Sequence, residues 1–520
     1  MSKVEYLILI LILLLLASGM FSYIMNQFIF SDEHMYIAAG VLMQNNQLYA
    51  DFSFLQMPYL PIIYSTIYKL TGTSYYLLTG RIVSFIAIFA ASVLIFFTSL
   101  KMTKNFIISL CVLLFFSMND ILIWTMGFSW NAVLPITFSL LGVYIYLSGK
   151  ENDAIKPIYF FITGVALALA TGLKLYYIII IIPFLVDALI CPQVPSFKKR
   201  IKQIMIPLVA GFCIGLIPVL YYITNNLDVF LLNNIIYHQL KTELEMQTSH
   251  LIGLRALTPL TKFQFGLNVL GMYTNLALFI GVLTLFLLLL HNYLVKNLSR
   301  NDIFDNGLFL TALLAVCTIS AVFYPAPMWE HYFALPIPFI IILFPSMFRC
   351  VPKNQKILFQ MLVTSLTVVI LLFGGLKLFS HIDRLFAVEQ WEGIQINNEF
   401  NEMKNYINDR NGHIKIATYE PIYALEAGFS IYPEFSSGSF LTAVSDLIAY
   451  EDRESYVTVS VYMIHTLFEK KPPDAILVGR ERKVTEPLVL YAKENEYNEV
   501  ERKFRGYTLY VRNGMSKKNK

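Results

Sequence analysis

Almost at the start of the chain, Tyr6 to Met25 forms a run of twenty residues without one charged side chain. As a helix it would be about 30 Å long, the thickness of the hydrocarbon core of a bilayer. It is too long for the apolar part of a signal peptide, and its leading flank is only weakly basic. Ten further apolar runs follow, at Ile82 to Leu100, Phe106 to about Trp124, Ala132 to Leu147, Ile158 to Ala170, Leu175 to Ile190, Ile204 to Ile223, Leu267 to Leu290, Leu308 to Phe323, Phe333 to Phe348 and Ile357 to Phe379. The expectation is a polytopic α-helical membrane protein with about 11 transmembrane helices. A chain that is 57% hydrophobic and 14% charged cannot be an ordinary soluble domain. Its net charge of +4 over 520 residues is too small to point to nucleic acid.

Charge divides the chain in two. Only 35 Asp, Glu, Lys and Arg fall in the first 379 residues, and from Ser380 onward their density roughly triples. A membrane part, 1–379, and a tail, 380–520, are therefore expected, the tail being large enough to hold its own small core. With the N-terminus in the cytoplasm, fourteen basic residues fall on the inner side and seven on the outer. The inner group includes the Lys198-Lys199-Arg200-Lys202 cluster, which orients the chain against anionic lipid. On this reading 26–80 and 224–266 are outer loops, the tail is extracytoplasmic, and the location is the cell membrane. Trp124, Trp130 and Trp329 fall at outer span ends, where indole rings anchor in the headgroup layer.

The five cysteines lie in spans or at the inner edge, so the outer regions have no disulfide framework. Short β-type runs at His413 to Tyr419, Ala475 to Gly479 and Tyr507 to Val511 alternate with helical stretches, which predicts a small α/β domain in the tail.

The residues most suggestive of chemistry are Asp32 and Glu33, just beyond the first span. A carboxylate beside the apolar layer loses hydration, which raises its pKa and suits it to accept a proton. The same pair would serve equally as an acidic turn in contact with water. Further along, the loop reads Leu48-Tyr49-Ala50-Asp51-Phe52, then Met57-Pro58-Tyr59-Leu60-Pro61, and ends on Gly80-Arg81-Ile82. This order resembles the first outer loop of GT-C glycosyltransferases of the protein O-mannosyltransferase and lipid A aminoarabinose transferase group. Gly164 to Tyr177 is similar to that group's small-residue helix ending in a threonine and lysine hairpin, and Glu330-His331-Tyr332-Phe333-Ala334-Leu335-Pro336 to its late His/Arg-Tyr-x-x-x-Pro element. One departure stands out. Where these enzymes often carry a second acid, this chain has Asn131, which argues against a two-acid or metal-assisted site.

The resemblance implies a GT-C-like catalytic domain that transfers a sugar, with inversion, from a polyprenyl-phosphate donor lipid to an acceptor hydroxyl outside the membrane. In that reading Asp32 is the base, with Glu33 tuning it or binding the sugar, and Tyr36, Asp51 and Asn131 line the substrate site. Candidate partners for the donor phosphate are Arg81, Lys174, Arg255, His331 and Tyr332. Lys174, in a turn between apolar segments, either reaches back to the surface or meets an anion. Arg255 also fits an exposed loop arginine, and His331 a local pair with Glu330. No cofactor is called for, since no Gly-rich phosphate loop, Asp-x-Asp or Cys/His pair at ligand spacing occurs, while the need for a divalent metal is left open by the sequence. The acceptor, whether protein, lipid or glycan, is not written in the sequence. Two other classes compete. A transporter or flippase of lipid-linked sugars predicts ionisable groups at mid-membrane and repeated halves. A non-catalytic glycan-binding membrane protein would make the acidic pair dispensable.

Overall fold

A computed structural model describes residues 1–150, 155–190, 196–252, 258–295, 298, 304, 307–408, 414–479 and 482–517. The chain begins with helices α1 (Lys3–Asn26), α2 (Ser31–Leu42), α3 (Tyr59–Thr71), α4 (Tyr76–Thr103), α5 (Phe106–Ser117), α6 (Asp120–Met126), α7 (Val133–Lys150) and α8 (Pro157–Leu173). Each of the eleven apolar runs falls on helix, but their lengths differ. Among the described residues six segments are long and apolar enough to cross a membrane, namely α1, α4, α7, Tyr273–Leu294, Glu330–Cys350 and Lys353–Leu378. The number rises to eight if each of two bent pairs is one crossing, whereas α8, Leu175–Ile190 and Leu308–Val322 are shorter. Length alone thus picks out six to eight spans among the described residues, and a count of eleven requires the three shorter helices to cross as well.

The bends have local causes. Between α5 and α6, Asn119 leaves the helix and its side chain accepts from the Ile121 and Leu122 amides, so α6 restarts at 57° to α5. Between Phe197–Gly215 and Ile217–Asn225 the 52° bend comes at Leu216, two residues before Pro218, whose ring nitrogen has no proton to donate. The run expected at Leu267 to Leu290 is likewise divided. Its first turn closes the helix Pro259–Leu270, Gly271 is the cap, and the long helix starts only at Tyr273. Close packing is set by small residues: a Cβ on Gly164 would lie 2.0 Å from the Leu208 carbonyl oxygen, and one on Gly211 2.0 Å from that of Phe161. Only glycine lets α8 and Phe197–Gly215 touch backbone to backbone.

The segments expected as outer loops are largely helical, with α2 and α3 in the first and Leu227–Leu231, Tyr237–Ile252 and Pro259–Leu270 in the second. Beyond residue 380 lies a five-stranded sheet built from β1 (Lys415–Ala417), β2 (Ser430–Ile431), β3 (Ala475–Val478), β4 (Asn498–Glu499) and β5 (Thr508–Val511), in the order β2-β1-β3-β5-β4. β1 pairs parallel with β2 and β3, and β5 pairs antiparallel with β3 and β4. Successive residues alternate between faces. Ala417, Ile476, Val478 and Tyr510 pack in a core of the domain's own. Ile416, Ala475, Leu477, Leu509 and Val511 belong to the buried cluster that runs on into the helical part. The sheet is thus fixed to the membrane helices by one of its faces.

Candidate active site

Helix α2 starts at Ser31 without a side-chain cap from Phe30, and Glu33 compensates by reaching back, its Oε2 accepting from the Phe30 amide at 2.9 Å. Adjacent residues on a helix point about 100° apart. Asp32 and Glu33 consequently face different neighbours. Glu33 turns to α4, where the Arg81 guanidinium donates to both its oxygens, Nε to Oε1 at 3.3 Å and Nη2 to Oε2 at 3.1 Å. The Ser129 amide adds a further bond to Oε1 at 2.8 Å. Arg81 also donates through Nη1 to the carbonyls of Ile24 and Gln27. Both side chains are fully buried, at 0% exposure. This closed pair was expected to divide between catalysis and phosphate binding. Instead it joins α1, α2, α4 and the Ser129 turn.

Asp32 lies on the other face of α2 and is only half-buried. Burial raises its pKa, and the positive charges of Lys241 and Lys174 and a hydrogen bond from Ser31 oppose the rise. Among the described residues no ion pair closes between Asp32 and Lys174. Lys174 caps the end of α8 in extended conformation and is buried at 6% exposure. Its ammonium lies over the rings of Tyr176, at 5.0 Å, and Tyr332, at 5.8 Å. Burial lowers its pKa to about 8, against the pull of Asp32. The hydroxyls of Tyr36, Tyr237 and Tyr332 all sense the charge on Asp32. The result is a cluster of one acid, two ammonium groups and three phenols within electrostatic reach of that acid.

Asn131 explains the missing second acid. Its Oδ1 accepts from the Tyr36 hydroxyl at 2.9 Å, while its Nδ2 donates to Gln56 Oε1 at 3.0 Å and to the Leu173 carbonyl at 3.2 Å. Aspartate has no proton to give and would leave the last two acceptors unpaired. The amide thus fixes both Tyr36 and the turn that carries Lys174. Asp120 is no substitute for it, because its carboxylate is taken up by the amide and hydroxyl of Thr274.

Of the other expected residues only His331 stays beside the site, where the charges of Lys174 and Lys241 act on it. Asp51 is exposed and accepts from the Gln47 amide within its own turn, at 2.7 Å. Arg255 is outside the described residues. His331 is stacked against Trp124 and Trp130, with ring centroids 5.8 and 4.8 Å away, and meets Tyr332 edge to face at 4.5 Å. Trp130 is not a headgroup anchor, since it is 1% exposed and its Nε1 donates to the Thr125 carbonyl. Tyr176, Tyr237 and Lys241 were missed. Tyr176 lies two residues beyond Lys174, and Tyr237 and Lys241 are spaced four apart in a helical stretch, the spacing that puts both on one face. No group of three His, Cys, Asp or Glu side chains able to hold a metal occurs among the described residues.

No family model and no curated protein matches the chain. Solved structures do. ArnT from Cupriavidus metallidurans bound to undecaprenyl phosphate superposes with a TM-score of 0.65 at 11% identity, over 98% of each chain. Its apo state gives 0.64 at 10% identity, over 98% of each chain. This chain has the GT-C fold. AglB, an archaeal oligosaccharyltransferase from Archaeoglobus fulgidus in complex with an inhibitory peptide and a dolichol-phosphate, gives a TM-score of 0.53 at 13% identity, over 99% of this chain and 75% of its own. The GT-C fold here therefore extends over both the helical part and the sheet domain.

Proposed function

We propose that the chain is an integral membrane glycosyltransferase that moves a sugar from a polyprenyl-phosphate donor to an acceptor hydroxyl on the outer face of the membrane, with inversion. The observation that carries this reading is a half-buried acid, Asp32, within electrostatic reach of a buried ammonium, Lys174, that closes no ion pair among the described residues. An uncompensated charge in such surroundings is costly and calls for an anion. A lipid phosphate at the membrane surface is such an anion, and the similar ArnT structure holds undecaprenyl phosphate. In the reaction Asp32 takes the proton of the acceptor hydroxyl as its oxygen attacks the anomeric carbon. The bond from that carbon to the phosphate oxygen breaks, and the electron pair stays on the phosphate. Lys174, with Lys241 on the neighbouring helix, offsets the charge that develops there. The phenols of Tyr36, Tyr237 and Tyr332 lie within electrostatic reach of Asp32 and suit the hydroxyls of a sugar.

A transporter reading finds no matching feature. Asp187, the acid within the Leu175–Ile190 helix, accepts from Lys150 Nζ at 2.9 Å and from the Tyr146 hydroxyl at 2.8 Å, a closed pair rather than a free carrier group. Purified protein in liposomes, given a panel of radiolabelled polyprenyl-phosphate sugars, should release free polyprenyl phosphate from at least one of them. Donor binding without release from any would point to a binding protein. Labelling from each side should find Ser31 to Tyr36 outside the cell, and an inside position would remove the reaction from the face proposed.

A further inference from the structure

The four residues that lead into α2 are held from three directions. Arg81 donates to the Gln27 carbonyl at 2.6 Å and Glu33 accepts from the Phe30 amide. The third hold comes from the sheet domain, where Glu392 Oε1 accepts from the Ile29 amide at 3.2 Å. A second carboxylate of the same domain, Glu426, accepts from the Leu77 amide at 2.7 Å in the first turn of α4, four residues before Arg81. Asn397 completes this contact by donating to Glu426 Oε2 at 2.6 Å and to the Ser74 carbonyl at 3.0 Å. Glu392 and Glu426 are both buried, at 4% and 1% exposure. Contact is close throughout, since a Cβ on Gly393 would lie 2.9 Å from the Leu78 amide nitrogen.

We propose that Glu392 and Glu426 are positioning residues for Asp32, coupling the sheet domain to the start of α2, directly at Ile29 and through α4, Arg81 and Glu33 from Leu77. The inference rests on the reading of Asp32 as the base. The two anchors differ in kind. Glu392 is paired with Arg505, whose Nη2 donates to Oε2 at 2.8 Å. Glu426 has no such counter-charge among the described residues; the backbone of Leu77 and Tyr76 and the Asn397 amide are its partners, and burial pushes its carboxyl up to about 7. The phenols of Tyr68 and Tyr76 feel its charge. The elements packed around its short helix, Pro421–Glu426, carry Arg81 on α4, His34 on α2, and Glu392 and Glu399 on Glu392–Asn401. Undocking would hydrate Glu426 and return it to its ordinary value, so the docked state binds more protons. Docking therefore tightens as pH falls from about 7 toward 4.5 and is indifferent to pH above that window.

The test is amide hydrogen exchange on the full chain in lipid nanodiscs, corrected for intrinsic rates. In Glu426→Ala and Glu392→Ala, protection of residues 27–33 should fall about tenfold or more while 356–378 stays unchanged. In the unaltered protein 77–81 should be better protected at pH 5.5 than at pH 8, and Glu426→Gln should remove the difference. Protection of 27–33 that survives both alanine variants would overturn the proposal. So would a loss shared by 133–150 and 356–378, or a pH response that persists in Glu426→Gln. Asp32→Asn should leave every protection value as it was. A mistaken assignment of the base would appear separately, as transfer that continues in that variant.

Discussion

Asp32 and Glu33 are chain neighbours of nearly the same chemistry, yet the fold treats them oppositely. Glu33 is met by a bidentate guanidinium and two amides in a space closed to solvent. Asp32 feels the charges of two ammonium groups, and among the described residues it closes no ion pair with Lys174. A buried pair with every partner supplied fixes geometry, and breaking it is costly because one charge is left alone. An acid and an ammonium held apart keep a capacity for something that arrives later. Under the proposed function, the pair in the sequence divides into one architectural residue and one chemical residue.

Several measurements would break or sharpen this contrast. The largest expected effect is in turnover, where Asp32→Asn should cost about 10²- to 10⁴-fold with little change in thermal stability. Arg81→Ala should act first on stability, destabilising the protein by about 3–5 kcal/mol in a melting experiment because Glu33 is stranded without a counter-charge, with a smaller loss of turnover as the start of α2 loosens. Lys174→Gln should weaken donor binding by about 10- to 100-fold, the scale of a charge-assisted bond, read by titrating the donor lipid. The pH profile follows from the same groups. Activity should rise as Asp32 ionises above the usual carboxylate range, then fall as Lys174 loses its proton near pH 8. Lys174→Arg should move the alkaline limb beyond the measurable range. The smallest effect is at Asp51, where Asp51→Asn should leave turnover within about twofold, since its carboxylate serves its own turn.

Much of this was legible in the sequence. Apolar runs locate helices because a membrane leaves the backbone no other partner than itself. The α/β tail was readable from three strands, whereas β2 and β4 are two residues each and too short for any period to register. Asp32, Lys174 and Tyr332, singled out far apart in the sequence, are neighbours in the fold. Arg81 was assigned the wrong partner for an understandable reason. A lone arginine opening an apolar helix does call for an anion, but whether that anion is a substrate or Glu33, 48 positions earlier, depends on the angle between two helices. Asn131 raised a doubt that its two donated bonds explain. Tyr237 and Lys241 lie in a segment read as loop, where no helical face was sought.

One experiment tests the central contrast most directly. Transfer from a labelled polyprenyl-phosphate sugar and the unfolding temperature should be measured side by side in Asp32→Asn and Glu33→Gln. The account predicts that Asp32→Asn keeps its melting temperature and loses transfer, while Glu33→Gln melts early yet still transfers wherever it stays folded. Transfer that persists in Asp32→Asn within tenfold of the unaltered protein would contradict it.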